Sequence, residues 1–225
     1  MRRSPRSGGE LSAGKPLFGE EEEVVPLDEG VWLLRGYARA QAPLLESAIA
    51  AVLEAAPLRQ MQTPGGGTMS VAMSNCGEVG WVSDRRGYRY SALDPLSGRA
   101  WPAMPATLRE LACAAAMRGG FVGFDPDACL INRYLPAARM SLHQDRDERD
   151  FTQPIVSVSL GLPAIFLLGG FTRRERAQRL CLEHGDVLVW GGPARLRFHG
   201  VLPLVAAHSS HAGAARTNLT FRKAR

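Results

Sequence analysis

The sequence predicts a mainly β fold with flanking helices, on three observations. From Cys129 to Arg222 short apolar runs alternate with turn residues, and no helical periodicity intervenes. The run Ile155-Val-Ser-Val-Ser-Leu160 has the pattern of a strand in a half-buried sheet. Apolar spacings of three and four residues are confined to two segments nearer the N-terminus. Several short strands without helices between them build a barrel or a sandwich.

Taken in order, residues 1–23 are rich in Arg, Ser, Gly and Glu and close on Glu20-Glu-Glu-Glu23. A segment with so little apolar surface is expected to be a disordered tail, with a single domain over 24–225. Val24 to Tyr37 reads as strand pieces around Pro26 and Gly30. Gln41 to Ala56 predicts a helix: Pro43 suits its first turn, and Leu44, Leu45, Ala48, Ile49, Val52 and Leu53 make an apolar face to lay on a sheet. Gln60 to Trp101 is rich in Gly, Met and aromatics, and its Pro64-Gly-Gly-Gly67 marks a turn. That turn is no phosphate loop, because no Lys-Ser/Thr and helix follow. A second helix is expected over Pro105 to Met117, ended by Gly119-Gly120. Strands are expected at 129–134, 155–160, 164–168, 179–182, 186–190, 196–203 and 217–222.

The bulk properties exclude several classes. A chain of 225 residues supports one sizeable core. No apolar run reaches membrane-spanning length, and the basic Met1-Arg-Arg-Ser-Pro-Arg6 leads into polar residues, so neither a membrane segment nor a secretory signal is expected. Cys76, Cys113, Cys129 and Cys181 show no paired spacing, which fits a reducing cytoplasm without disulfides. Cys129 and Cys181, in apolar runs, read as small buried hydrophobes. The net charge is +5; the first 23 residues hold four basic and five acidic side chains, leaving 23 basic against 17 acidic in the remainder. A basic body is compatible with a phosphate-backbone partner.

Chemistry concentrates in His143-Gln-Asp145, in His199, and in Arg216 and Arg222. Residues two apart on a strand share a side, so His143 and Asp145 point together, and a histidine from a distant strand completes a two-His, one-carboxylate set of the kind that holds Fe(II) with positions left open. Arg216 and Arg222, six residues apart, lie on one face of the strand through Asn218-Leu-Thr-Phe221 and suit a small dicarboxylate. Among the other histidines, His184 precedes Gly185-Asp186 and reads as turn chemistry, while His208 and His211 fall in a small-residue stretch that reads as a flexible loop. Trp81, Tyr88 and Tyr90 stand among Arg85, Arg86 and Arg89 in a setting too polar for a buried strand. Exposed aromatics among arginines suit a stacked base with its phosphates held nearby.

These motifs resemble the AlkB family of Fe(II)/2-oxoglutarate-dependent nucleic-acid repair dioxygenases, its bacterial branch in particular. The likeness is carried by Thr63-Pro-Gly-Gly-Gly-Thr-Met-Ser-Val-Ala-Met-Ser-Asn75, Asp127-Ala-Cys-Leu-Ile-Asn-Arg-Tyr134, Ser141-Leu-His-Gln-Asp145, Pro154-Ile-Val-Ser-Val-Ser-Leu-Gly-Leu-Pro163, Glu183-His-Gly-Asp186 and Asn218-Leu-Thr-Phe-Arg222. It runs from about Leu58 to Arg222. The resemblance implies a double-stranded β-helix, a jelly-roll relative, over about 120–225. About 58–118 would then form a helical and β-hairpin substrate lid with its supporting helix.

It also implies roles. His143, Asp145 and His199 would hold Fe(II). Asn132, Tyr134, Arg216, Asn218 and Arg222 would bind 2-oxoglutarate, with Tyr134 and Arg216 at the distal carboxylate. O2 is the third reactant. Trp81, Tyr88, Arg89, Tyr90, Asp147 and Arg173 would face the substrate. If the strand continues, Asp147 projects to the same side as Asp145, where a carboxylate favours a cationic methylated base. Arg173 stands in a cluster, Arg173-Arg174-Glu-Arg176, that leaves open which arginine acts. Thr217 departs from the bacterial pattern, which has a tyrosine there, and alternation points it away from the pocket. The expected function is oxidative demethylation of bases such as 1-methyladenine and 3-methylcytosine in DNA, with RNA as the alternative polymer, by a cytoplasmic monomer. Two rivals remain: a 2-oxoglutarate hydroxylase of a small molecule or protein side chain, and a non-enzymatic jelly-roll binding module, against which the intact ligand set argues.

Overall fold

The computed structural model describes residues 23–206 and 215–225. Residues 1–22 of the tail expected over 1–23, and the stretch with His208 and His211 expected to be a loop, lie outside them. Two antiparallel sheets face each other, helices cover the outer side of the larger, and a separate hairpin stands by.

β1 (Val24–Asp28) and β2 (Val31–Leu34) turn at Gly30, whose φ of +74° suits a residue without a Cβ. α1 (Ala42–Ala55) starts with Pro43 in its first turn and buries Leu45, Ile49 and Val52. β3 (Arg59–Gln62) and β4 (Thr68–Gly77) are joined by the glycine turn, which Thr63 closes by accepting from and donating to Gly67. β5 (Gly80–Asp84) and β6 (Gly87–Ser91) form the separate hairpin. α2 (Ala106–Arg118) ends at Gly119. Then come β7 (Ala128–Tyr134), β8 (Met140–His143), β9 (Ile155–Gly161), β10 (Ala164–Leu168), β11 (Gln178–Leu182), β12 (Val187–Trp190), β13 (His199–Val201) and β14 (Arg216–Arg222).

The large sheet runs β1-β2-β12-β9-β14-β7-β4-β3 and the small one β11-β10-β13-β8. One core, with Leu45, Ile131, Leu219 and Phe221, lies between the large sheet and the helices. A second, with Met73, Leu130, Phe166, Leu188 and Trp190, fills the space between the sheets. Strand alternation therefore decides everything downstream: Leu219 and Phe221 look toward the helices, while Arg216, Asn218, Thr220 and Arg222 look toward the small sheet.

Three expectations need correction. Cys181 is exposed, because it sits on the outward face of edge strand β11 between the inward Leu180 and Leu182. The strand expected over 196–203 is only His199–Val201, since a 3₁₀ turn at Gly192–Ala194 precedes it and Pro203 follows. Strand β8 stops at His143, so Asp145 and Asp147 do not share a strand face. The chain beyond it bends where Arg195 donates to the Asp145 carbonyl and Gln144 to the Leu196 carbonyl; Asp145 is buried and Asp147 exposed.

Candidate metal and co-substrate site

His143 closes β8 and His199 opens β13, and the two are direct cross-strand partners. Their rings lie 4.4 Å apart. Each ring is aimed by its own backbone: His143 Nδ1 lies 2.8 Å from the Ser141 carbonyl and His199 Nδ1 3.1 Å from that of Arg197. With Nδ1 donating, each Nε2 is left as an electron-pair donor facing inward. Asp145 Oδ1 stands 3.6 Å from His143 Nε2 and 3.7 Å from His199 Nε2. Three ligand atoms within 4.8 Å of one another is a fitting cage for one cation.

The second oxygen of Asp145 is occupied differently. Arg222 Nε and Nη2 donate to Oδ2 at 2.7 and 2.6 Å. Burial pushes the Asp145 carboxyl up, but the Arg222 guanidinium outweighs it and holds the carboxyl well below the usual carboxylate range. Burial first, and then His143, lowers His199 to about 3, so its imidazole is neutral and ready to ligate. Phe166 and Trp190 pack around the His199 ring.

Across the large sheet, Tyr134 pairs with Arg216 and Asn132 with Asn218, all facing the same side. Arg216 is only 1% exposed, yet its Nε and Nη1 have no acceptor; Nη2 donates to Ser159 at 3.1 Å, and Tyr134 lies under the guanidinium at 5.1 Å. A buried cation with open donors and no carboxylate among the described residues lacks an anion. The carboxylate of a small dicarboxylate fits it, and Asn132 Oδ1, on the same face of the sheet, is also without a partner. The residues thus fit both Fe(II) and 2-oxoglutarate.

The substrate-side residues come together in part. Trp81 stacks on Tyr88, with ring centroids 5.5 Å apart and planes 12° from parallel, and donates its indole N–H to Asp147 at 2.7 Å. Tyr90 is not an exposed ring: it turns inward and donates to Glu148 at 2.7 Å, and burial pushes its hydroxyl well up, so it remains a neutral donor. The ring packs with Val79 and Ala128, although Tyr88, two residues back in β6, faces solvent. Arg89 pairs with Asp84 at 2.8 Å across the hairpin turn. Arg173 donates to the Leu142 carbonyl and lies over Phe198, which singles it out in its arginine cluster. His184 accepts from Gly161 N and serves its turn.

Sequence reasoning missed three residues. Glu148, buried, meets Arg222 and Tyr90. Arg195, also buried, clamps the loop after the metal motif through the carbonyls of Asp145 and Gln153. Asn75 holds the hairpin by bonding both backbone groups of Trp81. An Asn at the end of a matching motif was the one available signal; Glu148 looks in sequence like part of a surface charge run.

Comparison with known proteins agrees with this geometry. Residues 30–222 match the 2OG-Fe(II) oxygenase superfamily. The chain is 54% identical over 209 residues to the alpha-ketoglutarate-dependent dioxygenase AlkB of Escherichia coli K12, covering 92% of this chain and 97% of that protein. It is 52% identical to AlkB of Salmonella typhimurium LT2 with the same coverage. The chain belongs to the AlkB family. It is an Fe(II)- and 2-oxoglutarate-dependent dioxygenase that uses O2. The solved structure of OsALKBH1 is similar in fold, with a TM-score of 0.77 at 26% identity over 89% of this chain and all of that one. In this AlkB-family chain the fold is the jelly-roll oxygenase fold that the motifs implied.

Proposed function

We propose that this enzyme removes N-methyl groups from 1-methyladenine and 3-methylcytosine in DNA, with RNA as a second polymer, and acts as a monomer in the cytoplasm. AlkB relatives at 52–54% identity support the reaction class, and a relative at 36% identity is named a nucleic acid dioxygenase. No helix among the described residues is long and apolar enough to cross a membrane. The observation that carries the substrate assignment is the Trp81–Asp147 pair, which sets an aromatic ring and a carboxylate together two residues past Asp145.

When bound, Fe(II), 2-oxoglutarate and O2 supply an oxidation that inserts one oxygen into an N-methyl C–H bond, giving succinate and CO2 and releasing formaldehyde from the hydroxymethylated nitrogen. The chain's part is to bind, orient and exclude water. His143, Asp145 and His199 would hold the metal, and the Arg222 pair to Asp145 keeps one carboxylate oxygen directed at it. Arg216, with Tyr134, Asn132 and Asn218, would take the distal carboxylate of 2-oxoglutarate. Phe166 and Trp190 wall the His199 side against water. Trp81 and Tyr88 would stack on a base turned out of its strand, and Asp147 would favour a base that methylation has made cationic. Arg173 would meet the same substrate from the opposite end of the metal motif, and Tyr90 and Arg89 would support the hairpin.

Mass spectrometry of a methylated oligonucleotide, incubated with enzyme, Fe(II), ascorbate and 2-oxoglutarate, tests this. Loss of 14 mass units per methyl group (about one CH2) with matching succinate is expected. Succinate formed without any change in the oligonucleotide would point to a different substrate.

A further inference from the structure

Between β10 and β11 the chain makes a turn that the site above uses only through Arg173. Phe171 in this turn is 58% exposed, an aromatic ring left in solvent beside Arg174 and Arg176. The turn is nonetheless ordered. Thr172 N donates to Glu175 Oε1 at 2.7 Å, and Glu175 N donates back to the Thr172 carbonyl at 3.3 Å. The Glu175 carboxylate lies in the space beside Gly170 that a Cβ would otherwise take. The stem is tied to the strand of the metal ligand: Gly169 N donates to the Phe198 carbonyl at 2.7 Å, and Phe198 N to that of Gly170 at 2.8 Å. Arg173 is engaged at this stem. Arg174, Arg176 and Arg179 are exposed and have no acidic partner among the described residues. Arg176 and Arg179 line an open depression of about 800 Å³.

We propose that this turn is a second nucleic-acid contact, in which Phe171 stacks on a base neighbouring the one in the pocket and Arg174, Arg176 and Arg179 hold phosphates of the same strand. The inference rests on the nucleic-acid reading above and adds to it where the flanking strand lies. A solvent-facing ring gains when a base covers it, since every base has a π face. Unpaired guanidiniums spaced along a turn and a strand match the repeating charge of a phosphate backbone. The internal bonds of the turn hold its backbone before binding, so less conformational freedom is lost in the complex. The contacts of Arg173 at Leu142 and of Asp147 at Trp81 bracket the metal motif, so a strand reaching the hairpin and this turn would pass over the metal.

The test uses the full chain with two substrates: a methylated single-stranded oligonucleotide about a dozen nucleotides long, and the methylated mononucleotide, which has no neighbour to stack. Phe171→Ala should weaken oligonucleotide binding about tenfold and leave mononucleotide turnover and the 2-oxoglutarate midpoint unchanged, with Phe171→Tyr restoring affinity. The triple Arg174→Ala, Arg176→Ala, Arg179→Ala variant should flatten the slope of log Kd against log salt by about 2, near 0.7 for each lost contact to a single strand. Unchanged affinity and slope in variants of an enzyme that does demethylate the oligonucleotide would overturn the proposal. Equal loss on both substrates in Phe171→Ala would make that residue a support for Arg173 and overturn the stacking role. A wild-type enzyme that neither binds nor demethylates the oligonucleotide would instead sink the functional reading beneath it.

Discussion

Asp145 divides its two oxygens between a metal-facing position and Arg222, and much of the site's behaviour follows from that division. His199→Ala should abolish succinate formation and weaken metal binding, because a three-ligand set has no spare donor, whereas His184→Ala, which loses only a turn hydrogen bond, should keep turnover. Activity surviving in the first and lost in the second would reverse the ligand assignment. Arg216→Ala should raise the 2-oxoglutarate midpoint by roughly 10- to 150-fold, from a charge-assisted bond of about 1.5–3 kcal/mol, with nucleic-acid binding little changed. Titrating the metal-to-ligand absorbance with 2-oxoglutarate measures this directly. Asp147→Ala and Trp81→Ala should both spare metal and co-substrate binding. Trp81→Ala should weaken substrate binding by about 1–3 kcal/mol, and Asp147→Ala should hurt cationic lesions more than neutral ones. Paired kinetics on a cationic and a neutral lesion decide it, and equal losses would end the charge-selection argument. At this scale the shared face of Arg216 and Arg222 was legible because alternation along β14 fixes it, whereas the grouping of His143, Asp145 and His199 was legible from the resemblance, since Asp145 lies beyond the end of β8. Tyr90 was not, since only the hairpin's position on Glu148 turns that ring inward.

Strand pairing sets the site's dimensions. His143 and His199 meet because β8 and β13 are in register there, and Gly200 lets the strands come close: a Cβ on it would stand 2.8 Å from the Met140 carbonyl. Gly200→Ala should therefore push the two strands apart and lower metal affinity tenfold or more, with stability reduced by about 1–3 kcal/mol. Metal titration beside a urea melt checks both numbers; an unchanged metal affinity would show that the ligands tolerate the spread. Most elements could be read ahead of the structure, for instance α1 from its apolar spacing and Pro43, and β9 from its alternation. The missing knowledge was about ends. Nothing local in Leu196–Leu202 tells that pairing begins only at His199, and nothing in Gln144–Asp150 tells that Arg195, some 50 residues away, bends the chain off its strand path.

Considered whole, the protein buries a polar seam in the space between its two sheets, and that seam has a titration signature. Of the four tyrosines, Tyr90 and Tyr134 are held neutral by burial, with their ionisation raised above the usual value near 10. The unfolded chain gives up those protons first as pH rises past 10, so stability should fall there, and neither tyrosine should ionise before the fold opens. Ultraviolet titration of tyrosinate alongside circular dichroism would reveal this; smooth ionisation of all four in a folded protein would contradict it. The large sheet's order has another consequence. β14 is the last strand along the described chain, yet it lies between β9 and β7 in the middle of that sheet, and it brings both Arg216 and Arg222. A chain cut between β13 and β14 would leave two half-sheets sharing no hydrogen bond and a catalytic seam without its cations. Supplying residues 215–225 as a separate peptide should switch such a body on, with succinate output rising as the strand slots in. The architecture is thus a ready-made split reporter, with an inert body and a short activating peptide.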